Sequence, residues 1–209
     1  MGIKIKICGL RSIKDVAIVD NLLPDYVGFI LAPSKRRISK EKAISLKKEI
    51  DKSIKVVGVF VNEQIEEIVS YVNLNIIDIV QLHGDEDISY IKKLKSLVKI
   101  PIIKAIRVNS KVDLDLNVKK YLVPEVDYLL FDKKVENLYG GSGQKFDWDI
   151  INNIGKPYFL AGGINSQNIN EAMQKGAYAL DLSSSVETDG HKDFDKVKEL
   201  IDKVRKGIN

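Results

Sequence analysis

The only cysteine of the chain, Cys8, ends the alternating run "IKIKIC" and precedes Gly9. A thiol can take a proton from carbon if its neighbours favour the thiolate. Asp132 ends a second apolar run, "VDYLLFD", and a carboxyl group placed there could hand a proton over. Both have plainer uses. A lone cysteine also serves as a small core hydrophobe, and an aspartate at a strand end also caps a loop or pairs with a lysine. Residue type alone leaves these alternatives open.

Three further stretches suit an anion. Gly140, Gly141, Ser142 and Gly143 follow Asp132, Gly162 and Gly163 sit in "FLAGGINSQN", and Ser183, Ser184 and Ser185 sit in "DLSSSVE". Glycine-rich turns let backbone N–H groups converge on a phosphate. "APSKRRIS" carries Arg36 beside Arg37, and a guanidinium can grip a carboxylate through two parallel bonds. In "QLHGDE", Gln81 and His83 lie two apart and share a face of a strand. His83 fits a structural hydrogen-bonding role as well as a chemical one.

These residues need a frame that gathers strand ends. Apolar runs of strand length recur at 3–8, 26–31, 55–61, 77–82, 102–106, 127–131, 158–160 and 178–182. Segments of helical period lie between them, at 12–22 with Ser12 as N-cap, 39–51 with apolar Ala43, Leu46 and Ile50, 62–72, 86–97, 111–121, 147–152, 166–175 and 193–206. Eight such units predict one domain over residues 1–209, an α/β fold built as a single (β/α)8 TIM barrel with a parallel eight-stranded inner sheet. A doubly wound open sheet is the alternative. In the barrel, catalytic groups come from the C-terminal strand ends, and phosphate sites from the loops after strands seven and eight. Period two then turns Lys4, Lys6 and Cys8 inward and Ile3, Ile5 and Ile7 towards the helices. Lys6 could tune the Cys8 thiol or pair with Asp181.

Composition narrows the function. With 44% hydrophobic and 30% charged residues, the chain reads as an ordinary globular protein. It shows no signal peptide or membrane span, so a cytoplasmic protein is expected. One Cys and two His supply neither an internal disulfide nor a structural zinc set, so no metal is expected. The net charge of +4 is spread among interspersed Lys and Glu, which suits a small anionic substrate better than nucleic acid.

In order, "KICGL", "SKR", "VGVFVN", "QLHG", "GGSGQKFDW", "LAGGINSQN" and "DLSSSVE…GHKD" span nearly the whole chain. Together they closely resemble phosphoribosylanthranilate isomerase. The resemblance implies a (β/α)8 enzyme of tryptophan biosynthesis that rearranges a phosphosugar without a cofactor, as monomer or homodimer. It implies Cys8 as general base, Asp132 as general acid, Arg36 as the contact to the anthranilate carboxylate, and the loops after strands six, seven and eight as the phosphate cradle. Ser142 stands where the family often has Thr, and Ser185 where it usually has Gly, which puts the backbone path there in question. Rival readings are a related phosphosugar barrel, such as indole-glycerol-phosphate synthase or a histidine-pathway isomerase, and a phosphate-binding barrel without turnover. The first would want a Lys/Glu set or an Asp on strand one, and the second would want Cys8 or Asp132 lost.

Overall fold

The computed structural model describes residues 2–133 and 145–207. Eight parallel strands, β1 (Lys4–Cys8), β2 (Tyr26–Ile30), β3 (Lys55–Phe60), β4 (Ile79–Leu82), β5 (Ile102–Val108), β6 (Tyr128–Lys133), β7 (Tyr158–Leu160) and β8 (Ala179–Leu182), close into a barrel in sequence order. The seam is the β1–β8 pairing, which sets Lys4 opposite Ala179 and Lys6 opposite Asp181. The open-sheet alternative is thereby excluded.

Alternation along each strand divides two apolar layers. Val57, Ile79, Ile103, Leu130 and Phe159 pack inside the barrel, while Ile5, Ile7, Val27, Phe29 and Val80 face outward into the larger cluster under the helices. Tyr26 and Tyr178 join their hydroxyls at 2.8 Å inside the barrel, with Tyr128 and Phe159 packed around them. A repeated polar device sets the stagger of neighbouring strands. Asp25, Asp78 and Asp127 each stand just before an even strand and accept an N–H of the preceding odd strand, from Ile5, Val56 and Ile102 at 2.9, 2.8 and 2.8 Å. Each also takes a lysine ammonium, from Lys4, Lys47 and Lys95.

The helices are α1 (Ile13–Leu22), α2 (Lys40–Glu49), α3 (Ile65–Asn73), α4 (Ile88–Leu97), α5 (Lys111–Tyr121), α6 (Ile169–Met173) and α7 (Phe194–Lys206). Ser12 caps α1 in a reciprocal box with Asp15, as a Ser followed three residues later by an acidic side chain permits. Two elements are shorter than expected. The 147–152 segment holds only a 3-10 turn, Trp148–Ile150, because Asn153 and Gly155 take positive φ directly after it and Pro157 follows. α6 is confined by side chains of Asn165 and Asn168 bonding to the Gly163 carbonyl before it, and by Gly176 at φ 71 after it. A hairpin that sequence reading did not anticipate, β9 (Glu187–Thr188) and β10 (His191–Lys192), turns through Asp189 and Gly190, both at positive φ.

Lys104 points outward from β5 yet is buried, with its ammonium on Glu86 Oε2 at 2.8 Å and the Gly84 carbonyl at 2.7 Å. Glu86 Oε1 in turn accepts the N–H groups of Asn62 and Gly84. Glu86→Met should therefore destabilise the fold by about 3–5 kcal/mol, since a charge and two N–H groups lose their partner together. Lys104→Met should cost less, because Glu86 keeps both N–H donors. Urea denaturation of the two variants measures the order, and a larger loss in Lys104→Met would contradict it.

Candidate active site

At the C-terminal ends of the strands lies a cavity of about 390 Å³. Its walls include Cys8, Arg36, Gln81, His83, Asp132, Gly162, Gly163, Ser183 and Ser184, so nine expected site residues from six strand ends or their loops meet in one place. Gly141, Ser142 and Gly143 lie outside the described residues.

Cys8 sits opposite Gly28 of β2, where an added Cβ would fall 2.6 Å from the sulfur. That glycine makes room for the thiol. Lys6, fully buried two residues earlier, donates to Asp181 Oδ2 at 2.8 Å and to Gln81 Oε1 at 2.7 Å. Burial pulls its ammonium pKa down, but Asp181 and Cys8 pull harder, and it stands above the ordinary lysine value. Lys6 therefore pairs with Asp181. The Cys8 thiol stands beside that ammonium. Burial raises its pKa, and Lys6 and Lys192 oppose that without overturning it, so the thiol stands above its usual value. Asp181 is likewise raised by burial against the pull of Lys6.

From Lys6 the contacts cross the barrel. Gln81 Nε2 stands 2.9 Å from His83 Nδ1, and His83 Nε2 stands 3.5 Å from Asp132 Oδ2. Asp132 Oδ1 accepts the Lys133 N–H at 2.8 Å. Cys8 and Asp132 thus occupy β1 and β6, across the mouth from one another.

The adjacent arginines separate cleanly. Arg37 is exposed, while Arg36 is half-buried against the cavity and directs Nε and Nη2 to Glu187 Oε2 at 3.3 and 3.0 Å. Glu187 Oε1 holds Lys192 at 2.8 Å, and Lys192 also donates to the Ser183 carbonyl. Burial pushes the Glu187 carboxyl up, yet Lys192 and Arg36 prevail and hold it below the ordinary range. Lys192 is lowered by burial despite Glu187. Its backbone N–H bonds to Asp15 Oδ1, which ties the β9–β10 hairpin to the cap of α1. Sequence reasoning missed Lys192 and Glu187. A lysine in "DGHKD" resembles solvated surface, and its only advance signal was the Asp189–Gly190 turn that folds it inward.

Ser185 lies in the 3-10 turn Ser184–Val186 and is not among the positive-φ residues, which answers the doubt about its backbone. Gly162 and Gly163, by contrast, adopt φ 85 and 70, where a side chain is strained. Among the described residues no group of His, Cys, Asp and Glu could hold a metal, and no helix is long and apolar enough to cross a membrane.

A closed parallel eight-stranded barrel with a thiol, an imidazole and a carboxyl lining one cavity at its mouth has the architecture of a (β/α)8-barrel enzyme. The profile of the N-(5'-phosphoribosyl)anthranilate (PRA) isomerase family matches residues 5–203, and the chain belongs to that family. It is 45% identical over 199 residues to the N-(5'-phosphoribosyl)anthranilate isomerase of Endomicrobium trichonymphae, covering 95% of this chain and 96% of that one. A solved phosphoribosylanthranilate isomerase in complex with reduced 1-(o-carboxyphenylamino)-1-deoxyribulose 5-phosphate superposes with a TM-score of 0.81 at 31% identity, over 98% of this chain and 99% of that one. Monomers generated from the dimeric enzyme of Thermotoga maritima superpose with a TM-score of 0.82 at 32% identity, over 98% and 99%.

Cys8, the sole cysteine, gives a direct probe of these electrostatics. Its alkylation by iodoacetamide should reach half its maximal rate at a pH above that of a free thiol, because burial disfavours the thiolate. Lys192→Met, by removing a cation, should move that midpoint higher still. A midpoint below the free-thiol value, or a downward move in the variant, would contradict the balance described.

Proposed function

We propose that the chain isomerises N-(5'-phosphoribosyl)anthranilate to 1-(2-carboxyphenylamino)-1-deoxyribulose 5-phosphate, with Asp132 as acid and Cys8 as base. The observation that carries this reading is the placement of a thiol and a carboxyl on opposite sides of one cavity, flanked by an arginine and by glycine- and serine-bearing loops. Asp132 gives its proton to the furanose ring oxygen, the C1–O bond breaks, and the nitrogen lone pair forms an iminium. Cys8 then removes the proton from C2, and the electrons of that C–H bond form the C1=C2 double bond of the enolamine. The substrate's own nitrogen takes up the charge, and the enolamine becomes the ketone when C1 gains a proton and the C2 hydroxyl loses one, so the steps balance without a cofactor.

The remaining walls suit the two anionic ends of the substrate. Arg36 is the candidate for the anthranilate carboxylate, with Glu187 holding one edge of its guanidinium in place. The phosphate is assigned to N–H groups around Gly162, Gly163 and residues 183–185, with 141–143 as the third contributor. Gln81 and His83 line the substrate between these ends. The compartment this reading assigns is the cytoplasm.

Cys8→Ala and Asp132→Asn should each lower kcat by about 100- to 10,000-fold while a reduced product analogue binds within a few-fold of wild type. Fluorescence decay of freshly made phosphoribosylanthranilate reads turnover, and calorimetry reads binding. Near-normal turnover in either folded variant would remove that residue from its role.

A further inference from the structure

The contacts between Lys6 and Asp132 determine more than distances. An ammonium carries only donors, so Gln81, 2.7 Å from Lys6 Nζ, must turn its carbonyl oxygen towards Lys6 and its NH2 group towards His83. That NH2 group also carries only donors. His83 Nδ1, 2.9 Å away, must therefore accept, and the ring proton resides on Nε2. Nε2 is buried, has no hydrogen-bond partner among the described residues, and stands 3.5 Å from Asp132 Oδ2.

We propose that Lys6 and Gln81 are positioning residues that lock His83 as its Nε2–H tautomer, so that the ring presents a donor, never a lone pair, to the acid Asp132. This rests on the isomerase reading and deepens it. In the opposite tautomer, the Nε2 lone pair would face Asp132 and accept the very proton that the ring oxygen of the substrate needs. In the locked tautomer the proton has no such competitor in the ring. Once it has left, Nε2–H can close on the carboxylate, adding a second donor to the Lys133 N–H already on Oδ1. Lys6 reaches the acid in this way from β1, the strand that carries the base.

The chain has two histidines, His83 and His191, so 15N-histidine labelling gives two imidazole patterns, and His191→Gln assigns them. Wild type should show His83 with a protonated Nε2 and a bare Nδ1. In Gln81→Glu, a carboxylate that only accepts should draw the proton to Nδ1, reversing the pattern. The same variant should lose roughly 10- to 100-fold in kcat with KM within a few-fold, a smaller loss than removal of the proton donor itself. A bare Nε2 in wild type would overturn the proposal, and so would a reversed tautomer with unchanged kcat. Should Gln81→Glu fail to fold, Gln81→Met is expected to give a mixture of tautomers, and a pattern still fixed on Nε2 would overturn the lock. Lack of turnover in wild type with the Nε2 tautomer present would instead sink the isomerase reading, and with it the catalytic use of a lock that still exists.

Discussion

A lysine ammonium with no exposure to solvent must be paired, because leaving it alone in the barrel would cost several kcal/mol. Lys6 meets that constraint with Asp181 and Gln81, and much of the site follows from it. Asp181 is its register partner across the β1–β8 seam, so the ion pair joins the first strand to the last where the barrel closes. Gln81 belongs to β4, on another part of the wall, so the same cation also spans the interior. The pairing keeps a positive charge beside Cys8, where it opposes the burial that disfavours a thiolate. One charge thus contributes to closure of the fold and to the chemistry of the mouth.

A second charged group of residues sits above the first. Glu187 from β9 bonds both Arg36, from the loop after β2, and Lys192 from β10, and Asp15 anchors the hairpin through the Lys192 N–H. Pairing within this cluster matters because Arg36 and Lys192 would otherwise repel each other near the same wall. Glu187 lets two cations approach the cavity together, one suited to a carboxylate and the other close to Gly9 and the thiol. Catalytic barrels commonly separate rigid strands from variable loops, and here a two-residue turn pairs a segment of the last loop into a short antiparallel hairpin.

Much of this arrangement was legible in the sequence because strand periodicity and strand-end placement are local signals. The Lys–Ile alternation before Cys8 revealed which side chains face inward, and the double glycine at 162–163 marked the loop after β7. What escaped depended on partners distant in sequence. Nothing near Lys192 announces that Glu187 and the α1 cap will bury it, and nothing near Cys8 shows that burial outweighs two lysines. The expected helix at 147–152 shrank to a 3-10 turn since positive-φ residues and Pro157 override its short apolar pattern. Ser185 looked like a backbone problem only while glycine was assumed to be needed for its φ.

The central claim is that the mouth moves protons between separate groups, with Cys8 taking the one on C2. Substrate carrying deuterium at C2 tests it most directly, by mass analysis of the product and of the solvent after complete turnover. The account predicts a slower rate with the labelled substrate and release of the label to water, because a thiol exchanges its hydrogen with solvent. Full retention of the deuterium, moved from C2 to C1 of the product, would mean direct transfer within the substrate and would contradict it.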